Sequence, residues 1–111
     1  VQTILPIMLN HINNKKLNLE QLIKLMCENP CKIFGIQNKG YIKEGFDADL
    51  TIVDMNKQQI IKNEMMATKC GWTPFHDMTI KGFPIATIVN GKTVMSDGKV
   101  ITEGFGQPLE F

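Results

Sequence analysis

Asn90-Gly91 and Asp97-Gly98 stand at either end of the short run Lys92–Met95. Asn-Gly and Asp-Gly are the favoured central pairs of tight hairpin turns, because both positions take positive φ and the turn twist matches the flanking strands. The run before the first pair, Ile85 to Asn90 (IATIVN), the run between them and the run Lys99 to Thr102 therefore read as strands folded back on one another. Upstream, Leu50-Thr51-Ile52-Val53 is β-branched and apolar enough for a buried strand, and Gln59 to Lys62 is a weaker candidate. Asn63 to Ile80, with Trp72, Thr73-Pro74 and Phe75, reads as irregular, and the Gly- and Pro-containing tail from Gly104 is expected on the surface.

The first third has a different period. In Val1 to Asn14, the apolar residues Ile4, Leu5, Met8, Leu9 and Ile12 recur at spacings of three and four and predict a helix face, with Pro6 tolerated in the first turn and Asn13 and Asn14 at the end. Leu17 to Phe34 predicts a second helix. Asn18 is its N-cap, Gln21 completes a capping box, and Leu19, Leu22, Ile23 and Met26 form the apolar stripe. Asn29-Pro30 should stop this helix, since Pro disfavours the αR conformation at the residue before it. Pro30 would then open a short helix, Cys31 to Phe34, closed by Gly35. The fold class is thus α+β, helices first and strands after, with a boundary near Gln37 to Gly40.

At 43% hydrophobic and 21% charged residues the composition is globular, and every one of the 12 cations is Lys. Spread evenly against 11 acids, these make no basic patch for nucleic acid. Without Arg there is no bidentate clamp for phosphate. No apolar stretch approaches the ~20 residues that span a bilayer. The odd count of 3 Cys and the absence of a signal-peptide pattern suit a reducing cytoplasm. Val1 lies within an amphipathic pattern, so the chain is expected to belong to something longer.

Candidate chemistry is sparse. Asp47 and Asp49 flank Ala48 in EGFDADLTIVD, which ends at Asp54. The pair could serve acid/base or metal chemistry, but turn chemistry explains the same residues: Gly45 bends, and Asp47 ties the backbone ahead of the strand. Cys27 and Cys31 are spaced i, i+4, yet Pro30 should spoil their alignment, and buried thiols act as small hydrophobes. A zinc site would need further ligands, with His11 or Cys70 only remote candidates. His11 suits a helix C-terminus. His76-Asp77 is the one adjacent His–carboxylate pair and reads as polar loop. The residues contain no nucleophile triad, P-loop or dinucleotide turn.

The segment ENPCKIFGIQNKGYIKEGFDADLTIVD resembles the closing part of amidohydrolase-superfamily enzymes, with Lys39, Gly40, Ile42, Gly45, Ala48, Asp49 and Leu50 in the pattern that opens their C-terminal strands. TKCGWTPFHDMTIKGFPIATIVNGKTVMSDGKV resembles dihydroorotases of the type found in multifunctional complexes, with allantoinase and dihydropyrimidinase as relatives, and the opening VQTILPIML resembles the stretch after their last catalytic loop. The resemblance implies a cytoplasmic zinc hydrolase that interconverts N-carbamoyl-aspartate and dihydroorotate in pyrimidine biosynthesis. It implies the last helices of a TIM barrel over residues 1–38 and the C-terminal portion of a small β-sandwich, with its surface tail, over 39–111. That family's ligands are a His-x-His pair, a carboxylated Lys, two further His and an Asp. None of those motifs is in this chain, and His11 and His76 match no ligand position. The expectation is therefore no catalytic, cofactor-binding or metal residue here, zinc held elsewhere in the parent, and an inactive, structural piece. Implied partners are the rest of the parent chain, a second copy, or aspartate transcarbamoylase. The contrasting expectation is an assembly or partner-binding module from a non-catalytic homologue. A barrel piece should leave Leu19, Leu22, Ile23 and Met26 uncovered, and a module should bury them.

Overall fold

The computed structural model describes residues 1–102 and 106–111. The start of the tail at Gly104 lies outside the described residues, while 106–111 are exposed.

Helix α1 runs Ile4–Asn13 with Pro6 in its first turn, where its missing N–H costs nothing. Its inward face follows the apolar stripe read from the sequence only in part. The buried residues are Pro6, Leu9 and Asn10, and Ile4 is half exposed. Helix α2 (Leu19–Ile23) starts as expected. The Asn18 side chain accepts the Gln21 N–H at 2.8 Å, and the Gln21 side chain accepts the Asn18 N–H at 2.8 Å. The predicted stop at Asn29-Pro30 does not occur. A π-helical turn (Lys24–Glu28) leads straight into α3 (Asn29–Phe34), and Asn29 keeps helical φ −63° and ψ −43°. The Asn29 N–H reaches back to the Lys24 carbonyl, and that widened turn lets the chain pass Pro30, which has no N–H for the regular ladder. Gly35, at φ +68°, ends α3 as expected.

The strands form one antiparallel sheet in the order β1-β2-β3-β4. They are β1 (Leu50–Ile60), β2 (Thr79–Val89), β3 (Lys92–Ser96) and β4 (Lys99–Val100). Both expected turns are present, with positive φ at Asn90, Gly91, Asp97 and Gly98. The first two strands are longer than the sequence suggested. Leu50–Val53 and the first half of Gln59–Lys62 are one strand, because bulges carry the chain through the polar middle. One bulge adds Ile85 to β2 between Ala86, which pairs with Ile52, and Pro84, which pairs with Val53, the kind of position where a strand tolerates proline. The other sets Met55, Asn56 and Lys57 against Gly82 alone, since Asp54 pairs Phe83 and Gln58 pairs Lys81. The Asp54 side chain accepts the Asn56 and Lys57 N–H groups at 2.8 and 3.2 Å and closes that bulge. A short 3₁₀ turn, Asn63–Met65, begins the irregular connection to β2.

Helix α1 docks where this second bulge opens the ladder. Asn10 Oδ1 accepts the Lys81 N–H at 3.0 Å, and Asn13 Nδ2 donates to the carbonyls of Lys81 at 2.8 Å and Met55 at 3.0 Å. Gly82 is the contact point, and Leu9 crosses directly over it. Beside this seam Ile61, Ile80 and Phe83 form the core, packed by Ile7, Met66 and Phe75.

Candidate functional site

The Asp47–Asp49 stretch is a joint between three parts of the chain. Gly45 turns the backbone at φ +82°, and the Asp47 N–H donates to the Asn38 carbonyl at 2.9 Å. The Asp47 carboxylate does not make the expected tie to the backbone. It pairs with Lys39 Nζ at 2.9 Å, and Asp49 Oδ2 pairs with the same ammonium. The side chain that ties backbone here is Asp49, whose Oδ1 accepts the Asn90 N–H at 2.8 Å. The next amide, Gly91, donates to the Ala48 carbonyl at 3.0 Å. Behind Lys39, Gly40 packs onto the end of the helix. A Cβ there would lie 2.9 Å from Cys31 Sγ and 3.0 Å from the Cys27 carbonyl. The quoted pattern residues thus fasten α3, the start of β1 and the β2–β3 turn together. Both carboxylates face one ammonium, so the arrangement holds structure and leaves no unpaired carboxylate for proton transfer.

The Lys39 ammonium, and then the Asn90 N–H, hold the Asp49 carboxyl below the usual carboxylate range, and the two carboxylates raise Lys39. A depressed acid contributes stability that is present at neutral pH and is lost as pH falls through its folded pKa; the raised Lys39 contributes until pH rises through its own. Asp49→Asn keeps an oxygen for Asn90 but loses the ion pair. It should lower stability modestly and flatten the acid limb of a stability–pH curve, with little change in any turnover of the parent protein. Urea denaturation at several pH values checks it. An acid limb as steep as the wild type's would refute the assignment.

His76 and Asp77 do not form a base oriented by an acid. His76 Nδ1 accepts the Asn63 N–H at 3.0 Å, which puts the neutral ring's proton on Nε2. Nε2 stands 3.6 Å from Asp77, beyond hydrogen-bond range. Asp77 faces Lys62 instead, and that ammonium lowers its pKa. With Asn63 Oδ1 accepting the Thr73 N–H at 3.0 Å, the group braces the loop before β2. His11 sits in the last turn of α1, as expected, with its Nδ1 buried and without a hydrogen-bond partner among the described residues.

Neither Cys27 nor Cys31 is buried, contrary to expectation: Cys27 is exposed and Cys31 is intermediate, and Cys70 is exposed as well. Helical backbone also continues between Cys27 and Cys31. Cys70 lies 3.1 Å from Thr68 Oγ1, and this contact lowers its pKa, whereas burial raises that of Cys27. The thiolate is the reactive form. Iodoacetamide should therefore label Cys70 before Cys27, a sequence that peptide mass mapping over time would show; Cys27 labelling first would contradict it.

No cluster of three or more His, Cys, Asp and Glu able to hold a metal occurs among the described residues. His11 is on α1, His76 is engaged with Asn63, and Asp47 and Asp49 are taken by Lys39. The described residues do not fit a zinc site. Among the described residues no helix is long and apolar enough to cross a membrane.

The Amidohydrolase family model matches residues 3–94. The chain belongs to the amidohydrolase family. It is 40% identical over 109 residues to a dihydroorotase of Pyrococcus furiosus, covering 98% of this chain and 26% of the relative. It is also 40% identical over 110 residues to an L-hydantoinase of Paenarthrobacter aurescens, covering 96% of this chain and 24% of that protein. The solved structure of L-hydantoinase (dihydropyrimidinase) from Arthrobacter aurescens superposes with a TM-score of 0.90 at 38% identity, over 95% of this chain and 24% of that one. This amidohydrolase chain thus spans about a quarter of the length of the curated relatives it matches. Its α+β arrangement, with an antiparallel four-stranded sheet, matches the corresponding part of that structure.

Sequence reasoning recognised Asp49 as structural but missed its two partners, Lys39 and the Asn90 amide. Lys39 was already in the quoted pattern, and the signal was there: a lysine and an aspartate held in the same short motif. Asn10 and Asn13 had no such signal.

Proposed function

We propose that this chain is the C-terminal part of a dihydroorotase-type amidohydrolase. Residues 1–38 supply the last helices of the barrel, and 39–111 supply the C-terminal share of the small β-sandwich. The parent interconverts N-carbamoyl-aspartate and dihydroorotate in pyrimidine biosynthesis, in the cytoplasm. Zinc would be held by the parent's other residues and would supply Lewis-acid activation of water there. The residues of this chain play a structural part: they cover the barrel end and complete the small domain. The natural partner is the rest of the parent chain, and a second copy or aspartate transcarbamoylase is a further proposed partner.

The observation that carries this reading is the uncovered helix face. Leu19 is 49% exposed, Ile23 41% and Met26 38%; only Leu22 of that stripe is buried. Leu25, Ile33 and Phe34 extend the exposed surface. Apolar area on this scale calls for a partner, and a self-sufficient module would have folded it inside.

The dihydroorotase name of the Pyrococcus relative supports the substrate. A second reading, hydrolysis of a hydantoin or dihydropyrimidine ring, is favoured by the TM-score of 0.90 to L-hydantoinase. The test is to assay the whole protein carrying this sequence, and the 111-residue chain alone, on dihydroorotate and on a 5-substituted hydantoin. Turnover of dihydroorotate by the whole protein and none by the chain alone is the expected result. Preference for the hydantoin supports the second reading. No turnover of either by the whole protein supports a non-catalytic homologue that serves assembly, and turnover by the chain alone overturns its structural role.

A further inference from the structure

The β2–β3 turn contains the only Asn-Gly dipeptide in the chain. Asn-Gly is chemically labile. The glycine amide nitrogen attacks the asparagine Cγ, a C–N bond forms, ammonia leaves, and a five-membered succinimide results. Water then opens that ring to aspartate or isoaspartate. Glycine permits this because no Cβ hinders its amide. Here Asn90 is solvent-exposed, so water reaches the site.

Both backbone amides of the dipeptide are engaged. The Gly91 N–H, the nucleophile, donates to the Ala48 carbonyl at 3.0 Å. The Asn90 N–H donates to Asp49 Oδ1 at 2.8 Å, and Asp49 is held in turn by Lys39. An amide that donates a hydrogen bond to a carbonyl must lose that bond before its nitrogen can close a ring.

We infer that Asn90 is a self-modification site whose succinimide formation is held off by the Lys39–Asp49–Ala48 joint and begins when the joint opens. The product would lock the open state. Isoaspartate adds a methylene to the backbone of a two-residue turn, which breaks the hairpin register, and either product adds a carboxylate beside Asp49. Conversion at Asn90 therefore marks molecules in which the joint has opened. The inference is independent of the substrate assigned to the parent.

Incubate the whole protein at neutral pH and follow the amide-to-acid mass gain in the tryptic peptide Gly82–Lys92, with the same synthetic peptide as reference. The protein should deamidate at least about tenfold more slowly than the peptide, since two ordinary hydrogen bonds oppose opening. Asp49→Ala, which removes both the acceptor for Asn90 and the partner of Lys39, should recover most of that difference. Asp47→Asn, which leaves the Asn90 acceptor in place, should stay close to the wild type. Because Asp49→Ala also lowers global stability, Gly82→Ala serves as a second variant, destabilised at a seam that does not touch the turn. At matched stability it should deamidate well below the Asp49→Ala rate. Wild-type protein reacting as fast as the peptide overturns the inference. So does Asp49→Ala at the wild-type rate, or Gly82→Ala matching Asp49→Ala.

Discussion

Gly82→Ala should cost about 3 kcal/mol of stability, the sum of a strained backbone and an overpacked seam. Gly82 holds φ +107°, where L side chains rarely sit, and a Cβ built there would lie 2.7 Å from Leu9 Cβ. Neither atom can yield. Leu9 is fully buried on α1, and Gly82 is fixed opposite the β1 bulge by the pairings on either side of it. Relief requires α1 to lift from the sheet, which would break the hydrogen bonds of Asn10 and Asn13 to Lys81. In a domain of this size the loss corresponds to a melting temperature lower by roughly 15 °C. A thermal melt checks this directly. Hydrogen exchange adds a second reading: the Lys81 amide should lose protection earlier than amides near β4. A variant that melts within a degree or two of the wild type would mean that the seam is looser than the structure indicates.

The same seam shows where sequence reasoning stops. The hairpin turns, the capping box and the Gly35 cap were legible because each is decided by residues next to one another: φ preferences at Asn90-Gly91, a side chain reaching three residues on at Asn18. The length of β1 was not. Asp54 to Lys57 carries no strand pattern, and the bulge there exists because Gly82, far along the chain, leaves room opposite it. Pro30 is a local rule overridden locally, since one π-helical turn gives the chain the slack that a regular helix denies it. The stripe Leu19, Leu22, Ile23 and Met26 was read as apolar, and its exposure, found at all but the buried Leu22, was anticipated from the family resemblance rather than from the residues. The Asp47–Asp49 motif was legible as a turn and illegible as a joint. Spacing shows that two carboxylates are near each other, but not that one lysine sits between them.

Asn13 is the residue that a pattern-based reading discounts most, and its removal should have the second large effect. One side-chain amide donates to carbonyls on two strands, Met55 and Lys81, with Leu9 in its own helix a longer third partner at 3.4 Å. Asn13→Ala removes a side-chain donor from both strand carbonyls at a partly buried seam, a loss of about 2 kcal/mol. Asn13→Asp keeps the shape and reverses the polarity: at neutral pH it turns carboxylate oxygens toward those carbonyls. That variant should be less stable than Asn13→Ala near pH 7.5. Desolvation and the facing carbonyls raise the new acid's folded pKa above its unfolded value, so the native state binds more protons and stability rises as pH falls. Between pH 7.5 and 5.5 the Asp variant should regain part of its loss, while the wild type and Asn13→Ala change little, because Asp49, held low, titrates below that window and Lys39, held high, titrates above it. Urea unfolding of the three proteins at both pH values measures it. An Asp variant as stable as Asn13→Ala at pH 7.5, with no recovery on acidification, would show that the amide's donors do not hold α1 to the sheet.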